Sequence, residues 1–141
     1  MREAQRGSAA ALEELFRAHW ARAYRAALLV VGDAAAAEDI AQESFLAAVR
    51  ALDRFDRRRP FGPWLHKIVV NRAIDWARAR ALRRELDLDG VAEPAAPDEP
   101  VRGEQSEELA GALASLVPEQ RAVIVLRYLL EYTPGEIAEL L

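Results

Sequence analysis

The sequence predicts an all-α protein: a helical bundle, then a linker, then a partial second helical unit. Apolar residues recur every three or four positions from Ser8 to about Arg84, and alanine, leucine and arginine dominate that span. Proline enters it only within one short loop, and residues 87–106 break the periodicity. At 141 residues, 52% hydrophobic and 30% charged, the chain has room for one ordinary globular domain or two small ones. It holds no cysteine and only His19 and His66, which excludes disulfides and thiolate sites and leaves no histidine-rich metal site, so no metal or other cofactor is expected. The longest apolar run, around Ala26 to Val31, is far too short to cross a bilayer, and no apolar run follows a basic N-terminus. A cytoplasmic protein without membrane insertion is therefore expected.

Ser8 is placed to cap a first helix, whose Leu12, Leu15, Phe16, His19, Trp20 and Ala23 keep helical spacing on to about Val31. Gly32-Asp33 supplies a stop and a new cap. The second helix, about Ala34 to Phe55, turns Ile40, Ala41, Phe45, Ala48, Leu52 and Phe55 inward and leaves Glu38, Asp39, Gln42, Glu43 and Arg50 outside. The third runs from about Phe61 to Arg84. On a wheel of about 100° per residue, Leu65, Ile68, Val69, Ala73 and Trp76 fall on one side, Lys67, Asn71, Asp75 and Arg78 on the other, and Trp64 nearer the polar side. Residues 87–106, "DLDGVAEPAAPDEPVRGEQS", are acidic, carry three prolines and have no apolar period, which marks a flexible linker between units 1–86 and 107–141. Two short helices follow, Glu107 to Leu116 and Pro118 to Leu130, with Pro118 at the first helical position. Thr133-Pro134-Gly135-Glu136 then has the spacing of a capping box before Ile137, Leu140 and Leu141.

The net charge of −4 hides a division. Residues 1–86 carry 16 Lys and Arg against 11 Asp and Glu, while residues 87–141 carry 3 against 12. Within 50–84 the balance is 11 to 3, a local footprint for a polyanion. Its densest part is "FDRRRPFGPW" at 55–64, where three arginines sit among three aromatics, two prolines and a glycine. Such a loop fits nucleic acid, with a solvated turn as the alternative. No nucleophile stands beside a base, and no glycine-rich phosphate loop or metal spacing occurs. Asp39 and Glu43 lie one helical turn apart, but no partner helix offers a matching histidine motif. An enzyme is not expected.

Three strings resemble the bacterial sigma-70 superfamily of RNA polymerase sigma factors, in its small extracytoplasmic-function class. "AEDIAQESFLAAVRALDRFD" at 37–56 is similar to the region 2 helix that binds core polymerase. "RPFGPWLHKIVVNRAIDWARAR" at 59–80 is similar to the promoter-melting, minus-ten-reading segment, and "LASLVPEQRAVIVLRYLLEYTPGEIAELL" at 113–141 to the opening of region 4. The resemblance implies an alternative sigma factor that recognises and melts the minus-ten element. Its partners would be core RNA polymerase, single-stranded non-template promoter DNA and, as in many relatives, an anti-sigma factor, for which Val123 to Tyr132 would be a docking surface.

By the same resemblance Asp39, Gln42, Glu43, Phe45 and Arg50 would meet the clamp helices of the largest polymerase subunit. Arg57, Arg58, Arg59, Phe61, Trp64, Lys67, Asn71, Arg72 and Arg78 would contact DNA: the arginines through phosphates, the rings as stacking platforms and Asn71 through a base edge. Three positions depart from the family pattern: Val49 stands where tryptophan is usual, Val70 where arginine is frequent, and Arg72 where an apolar residue is usual. Region 4 is expected to be partial, since Leu141 closes the first helix of its helix-turn-helix and the reader helix would follow it. The alternative function is a helical DNA-binding or protein-interaction module of the same fold that does not bind core polymerase.

Overall fold

The computed structural model describes residues 1–86 and 104–141; all regular structure among them is helical. In order these are α1 (Arg2–Gln5), α2 (Ala9–Val31), α3 (Ala34–Arg50), a 3-10 turn (Leu52–Arg54), α4 (Phe61–Leu86), α5 (Glu104–Ala114), α6 (Pro118–Ile124), a π turn (Val125–Leu129) and α7 (Pro134–Leu140). No helix among the described residues is long and apolar enough to cross a membrane.

Local chemistry sets the ends of α2 and α3. The Ser8 hydroxyl accepts the Ala11 N–H at 3.3 Å, and Gly32 closes α2 in the left-handed region at φ 70°, its N–H bonded to the Leu28 carbonyl at 2.7 Å. Asp33 at once starts α3 by accepting the Ala36 N–H at 3.0 Å. So short a link packs α2 and α3 side by side, and α4 closes a three-helix bundle against both. Alanines fill the seam: Ala23 and Ala27 of α2, Ala37, Ala41 and Ala48 of α3 and Ala73 of α4 have no exposed surface. Residues so small let helix axes approach closely, and Val30, Leu65 and Val69, equally buried, fill the remaining volume. Full burial of a side chain such as Leu65 stabilises by about 1.5–3 kcal/mol. The buried Ser44 hydroxyl costs nothing extra, because it donates to the Ile40 carbonyl at 2.7 Å.

The structure corrects several expected boundaries. α3 ends at Arg50 rather than near Phe55, and the following 3-10 turn is held from a distance. The Gln5 amide donates to the carbonyls of Leu52 and Phe55 at 2.9 and 3.0 Å, so the unforeseen α1 satisfies backbone groups that a continued helix would have bonded internally. α5 starts at Glu104, so residues 104–106, expected in the linker, are helical; the rest of that stretch, 87–103, lies outside the described residues. The expected helix Pro118 to Leu130 gives way to a π turn at Val125, where the Leu130 N–H reaches back five residues to the Val125 carbonyl at 3.1 Å. Glu131 follows in the left-handed region at φ 61°. The Thr133 capping box forms as expected: Thr133 Oγ1 accepts the Glu136 N–H at 3.2 Å, and Glu136 Oε1 accepts the Thr133 N–H at 3.0 Å.

Candidate functional site

On α3 the solvent side carries Asp39, Gln42, Glu43 and Arg50, all exposed. Leu46 and Val49 are 55% and 44% exposed on the same side, a placement that the sequence reasoning missed. Their spacing, 42, 46, 49 and 50, was the available signal: with Asp39 and Glu43 they form one exposed strip along α3 that mixes amide, carboxylate and apolar groups. Phe45 lies beneath it, 7% exposed, with its ring 5.2 Å from Phe16 and 6.0 Å from Trp20. It supports the strip more than it forms it. Phe16, 40% exposed and stacked on Trp20 at 4.9 Å, extends the apolar patch onto α2.

The loop before α4 exposes Arg57, Arg58 and Arg59 together. Asp56 orders it: its carboxylate accepts the Arg58 N–H at 3.0 Å and the Arg58 Nε at 3.1 Å. Those bonds, side chain first, hold the Asp56 carboxyl below its ordinary range. Arg58 is thus part-neutralised, while Arg57 and Arg59 make no ion pair among the described residues. Behind the loop an aromatic nest fixes the start of α4. Phe61 is edge-on to Phe55 at 5.9 Å and to Trp64 at 5.8 Å, and lies 5.1 Å from His19. With 8% exposure Phe61 is a core residue, which corrects its expected role as a stacking platform; half-buried Trp64 keeps an accessible edge. Lys67 and Asn71 are exposed and lie with Trp64 and Arg78 on one side of α4.

The other two α4 candidates are already paired. Arg72 Nη1 meets Glu43 Oε2 at 3.4 Å, joining a residue expected on DNA to one expected on polymerase. Arg78 pairs through Nε with Glu119 Oε1 of α6. The Glu119 carboxyl is held below its ordinary range by its own backbone N–H first and by Arg78 second. Val70, where the family often carries arginine, has no exposed surface and cannot contact DNA.

The C-terminal unit closes on the same helix. The Tyr132 hydroxyl donates to the Pro63 carbonyl at 3.2 Å, and its ring stands 6.3 Å from His66. Burial, then the Glu136 carboxylate, push the Tyr132 phenol up to about 12, so it stays a donor. His66 is 5% exposed, and neither ring nitrogen has a hydrogen-bond partner among the described residues. Burial, then the neighbouring His19 and Arg22, lower it to about 4, so it sits neutral in the core. The stretch expected to dock an inhibitor is largely used up: Val125, Leu126, Leu130 and Tyr132 are buried, while Val123 and Tyr128 remain exposed at 41% and 78%.

A helical bundle with a cationic, aromatic-backed loop, a separate exposed strip of charged and apolar groups on α3 and a second small helical unit fits a DNA-binding transcription factor. The Sigma-70 region 2 family model matches residues 15–83, and the Sigma-70 region 4 model matches residues 106–141. The chain is 37% identical over 140 residues to the ECF RNA polymerase sigma factor SigL of Mycobacterium tuberculosis, covering 94% of this chain and 79% of that protein. It is 29% identical over 154 residues to SigW of Bacillus subtilis, covering 100% and 82%, and 30% identical over 135 residues to SigM of M. tuberculosis, covering 96% and 68%. The chain belongs to the extracytoplasmic-function class of the sigma-70 family and is a promoter-recognising alternative sigma factor.

Proposed function

We propose that this sigma factor uses two separate faces of its bundle. The α3 strip of Asp39, Gln42, Glu43, Leu46, Val49 and Arg50 docks on the clamp helices of the largest polymerase subunit, with Phe45 packed behind it. Arg57, Arg59, Lys67, Asn71 and the open edge of Trp64 hold the non-template minus-ten strand, with Arg58, Arg72 and Arg78 joining once their carboxylate partners are displaced. The observation that carries this reading is the exposure of three consecutive arginines on a loop whose aromatic nest is otherwise buried. Cations that hold phosphates are sequence-blind, so base choice falls to Asn71, whose amide can donate to and accept from a base edge. Unstacking a base costs a few kcal/mol, which stacking against an accessible ring or guanidinium plane offsets.

Two results are expected. Asp39→Arg combined with Glu43→Arg weakens binding to core polymerase by at least about tenfold, or about 1.4 kcal/mol, with helix content unchanged because both side chains are exposed. Titration against core enzyme checks it, and wild-type affinity would remove the strip from the interface. Replacing Arg57, Arg58 and Arg59 by glutamine weakens minus-ten strand binding uniformly across sequences and flattens the salt dependence by up to about 0.7 log units per lost phosphate contact. An unchanged affinity and salt slope would make the loop a solvated turn. Failure of the chain to compete with the housekeeping sigma for core enzyme would favour the non-polymerase module.

A further inference from the structure

The first seven residues of the chain hold the root of the arginine loop. α1 packs against the 3-10 turn, with Ala4, 3% exposed, joining the bundle core. Gly7 then turns the backbone into α2 in the left-handed region at φ 86°, which a residue with a Cβ adopts only under strain. The Ser8 N–H closes that turn on the Glu3 carbonyl at 3.0 Å. Gln5, half-buried, is thereby placed so that one amide nitrogen, with its two hydrogens, serves two carbonyls: Leu52 at 2.9 Å and Phe55 at 3.0 Å. These two residues bracket the turn from which the loop departs, and the Leu52 carbonyl also accepts the Phe55 N–H at 3.1 Å, so the amide completes a clasp around it. The Phe55 ring, 8% exposed, lies 4.7 Å from Trp64 and 5.9 Å from Phe61. Asp56 fixes Arg58 from within the loop; Gln5 fixes the loop's root from outside it.

We infer that Gln5 is a positioning residue for minus-ten recognition: it holds Phe55, and through Phe55 the open edge of Trp64 and the path of Arg57 to Arg59, in the shape that takes up an unstacked base. The inference deepens the placing of DNA proposed above and rests on it. Base choice needs the ring edge and the Asn71 amide at a fixed separation, whereas long arginine side chains still reach phosphates from a loop that wanders. Loss of the Gln5 amide therefore costs sequence discrimination rather than general affinity. A loop that keeps the held shape in about a tenth of molecules binds about tenfold more weakly to the strand that needs that shape.

Gln5→Met keeps the reach of the side chain and removes the donor, while Gln5→Lys restores a donor with three hydrogens. Each full chain is bound to core polymerase and titrated with a labelled minus-ten single strand and with a scrambled strand, and the urea unfolding of each free chain is followed by circular dichroism. The added charge of lysine acts alike on both strands, so the ratio of the two affinities isolates positioning. The expected result is a ratio about tenfold smaller for Gln5→Met than for wild type, with core affinity and scrambled-strand affinity unchanged, and a wild-type ratio for Gln5→Lys. A wild-type ratio for Gln5→Met overturns the positioning role and leaves the DNA face standing. So does a loss on both strands that matches the unfolded fraction, or a fall in the ratio that lysine does not restore. A wild-type holoenzyme that does not tell the minus-ten strand from the scrambled one overturns the DNA face, and this inference with it.

Discussion

Phe61→Ala is expected to cost about 3–5 kcal/mol of folding stability, the range for truncating a buried aromatic. The ring is 8% exposed and touches three others: Phe55 and Trp64 edge-on, and His19 from α2 at 5.1 Å. Removing it leaves a void at the point where the arginine loop, α2 and the first turn of α4 meet, walled by the rings of Phe55, Trp64 and His19. Urea unfolding followed by circular dichroism measures the loss. Any fall in DNA affinity should track the fraction unfolded and recover when the temperature is lowered. A loss under about 1 kcal/mol would return the ring to the surface role that the sequence first suggested.

The second large effect is on acid stability. His66 has a folded-state value of about 4 against an ordinary 6.5, so between those pH values the unfolded chain binds the proton that the folded chain refuses. A lowered folded pKa means that stability is fully present above about pH 6.5 and is lost as the pH falls towards 4, by up to about 3 kcal/mol for a shift of this size. His19, also lowered by burial and then by Arg22, adds in the same direction. Carboxylates such as Asp56 and Glu119 lose their contribution at the lower end of the same range, so the histidine share is best taken as a difference. His66→Leu should show a visibly flatter stability profile between pH 6.5 and 4 than the wild type. Parallel profiles would mean that the imidazole is solvated.

Where structure was set by neighbours in sequence, it was legible there. The caps at Ser8, Asp33 and Thr133 act within three residues, so their spacing alone located three helix starts. The end of α3 was not legible, because it depends on Gln5 reaching the Leu52 and Phe55 carbonyls across 47 and 50 residues. The wheel of α4 found the stripe of Leu65 and Val69 but treated the helix as having one apolar side, so Val70 and Ile74 were not placed in the core. Composition marked the arginine loop and the acidic face of α3. It could not show that Arg72 answers Glu43 across 29 residues or that Arg78 answers Glu119 across 41, since charge pairs between helices leave no periodic trace.

The Val70 and Ile74 side of α4 also has a history during synthesis. Tyr132 follows Pro63 by 69 residues, which at 5–20 residues per second is roughly 3–14 s of translation. Until then a nascent bundle lacks the Ala122, Val125, Leu126 and Leu130 side chains that share a core with Val70 and Ile74, and those two would face water. A ribosome stalled beyond α4 prolongs that stage, and that side of the helix then becomes a place for chaperone capture or for the pairing of neighbouring nascent chains.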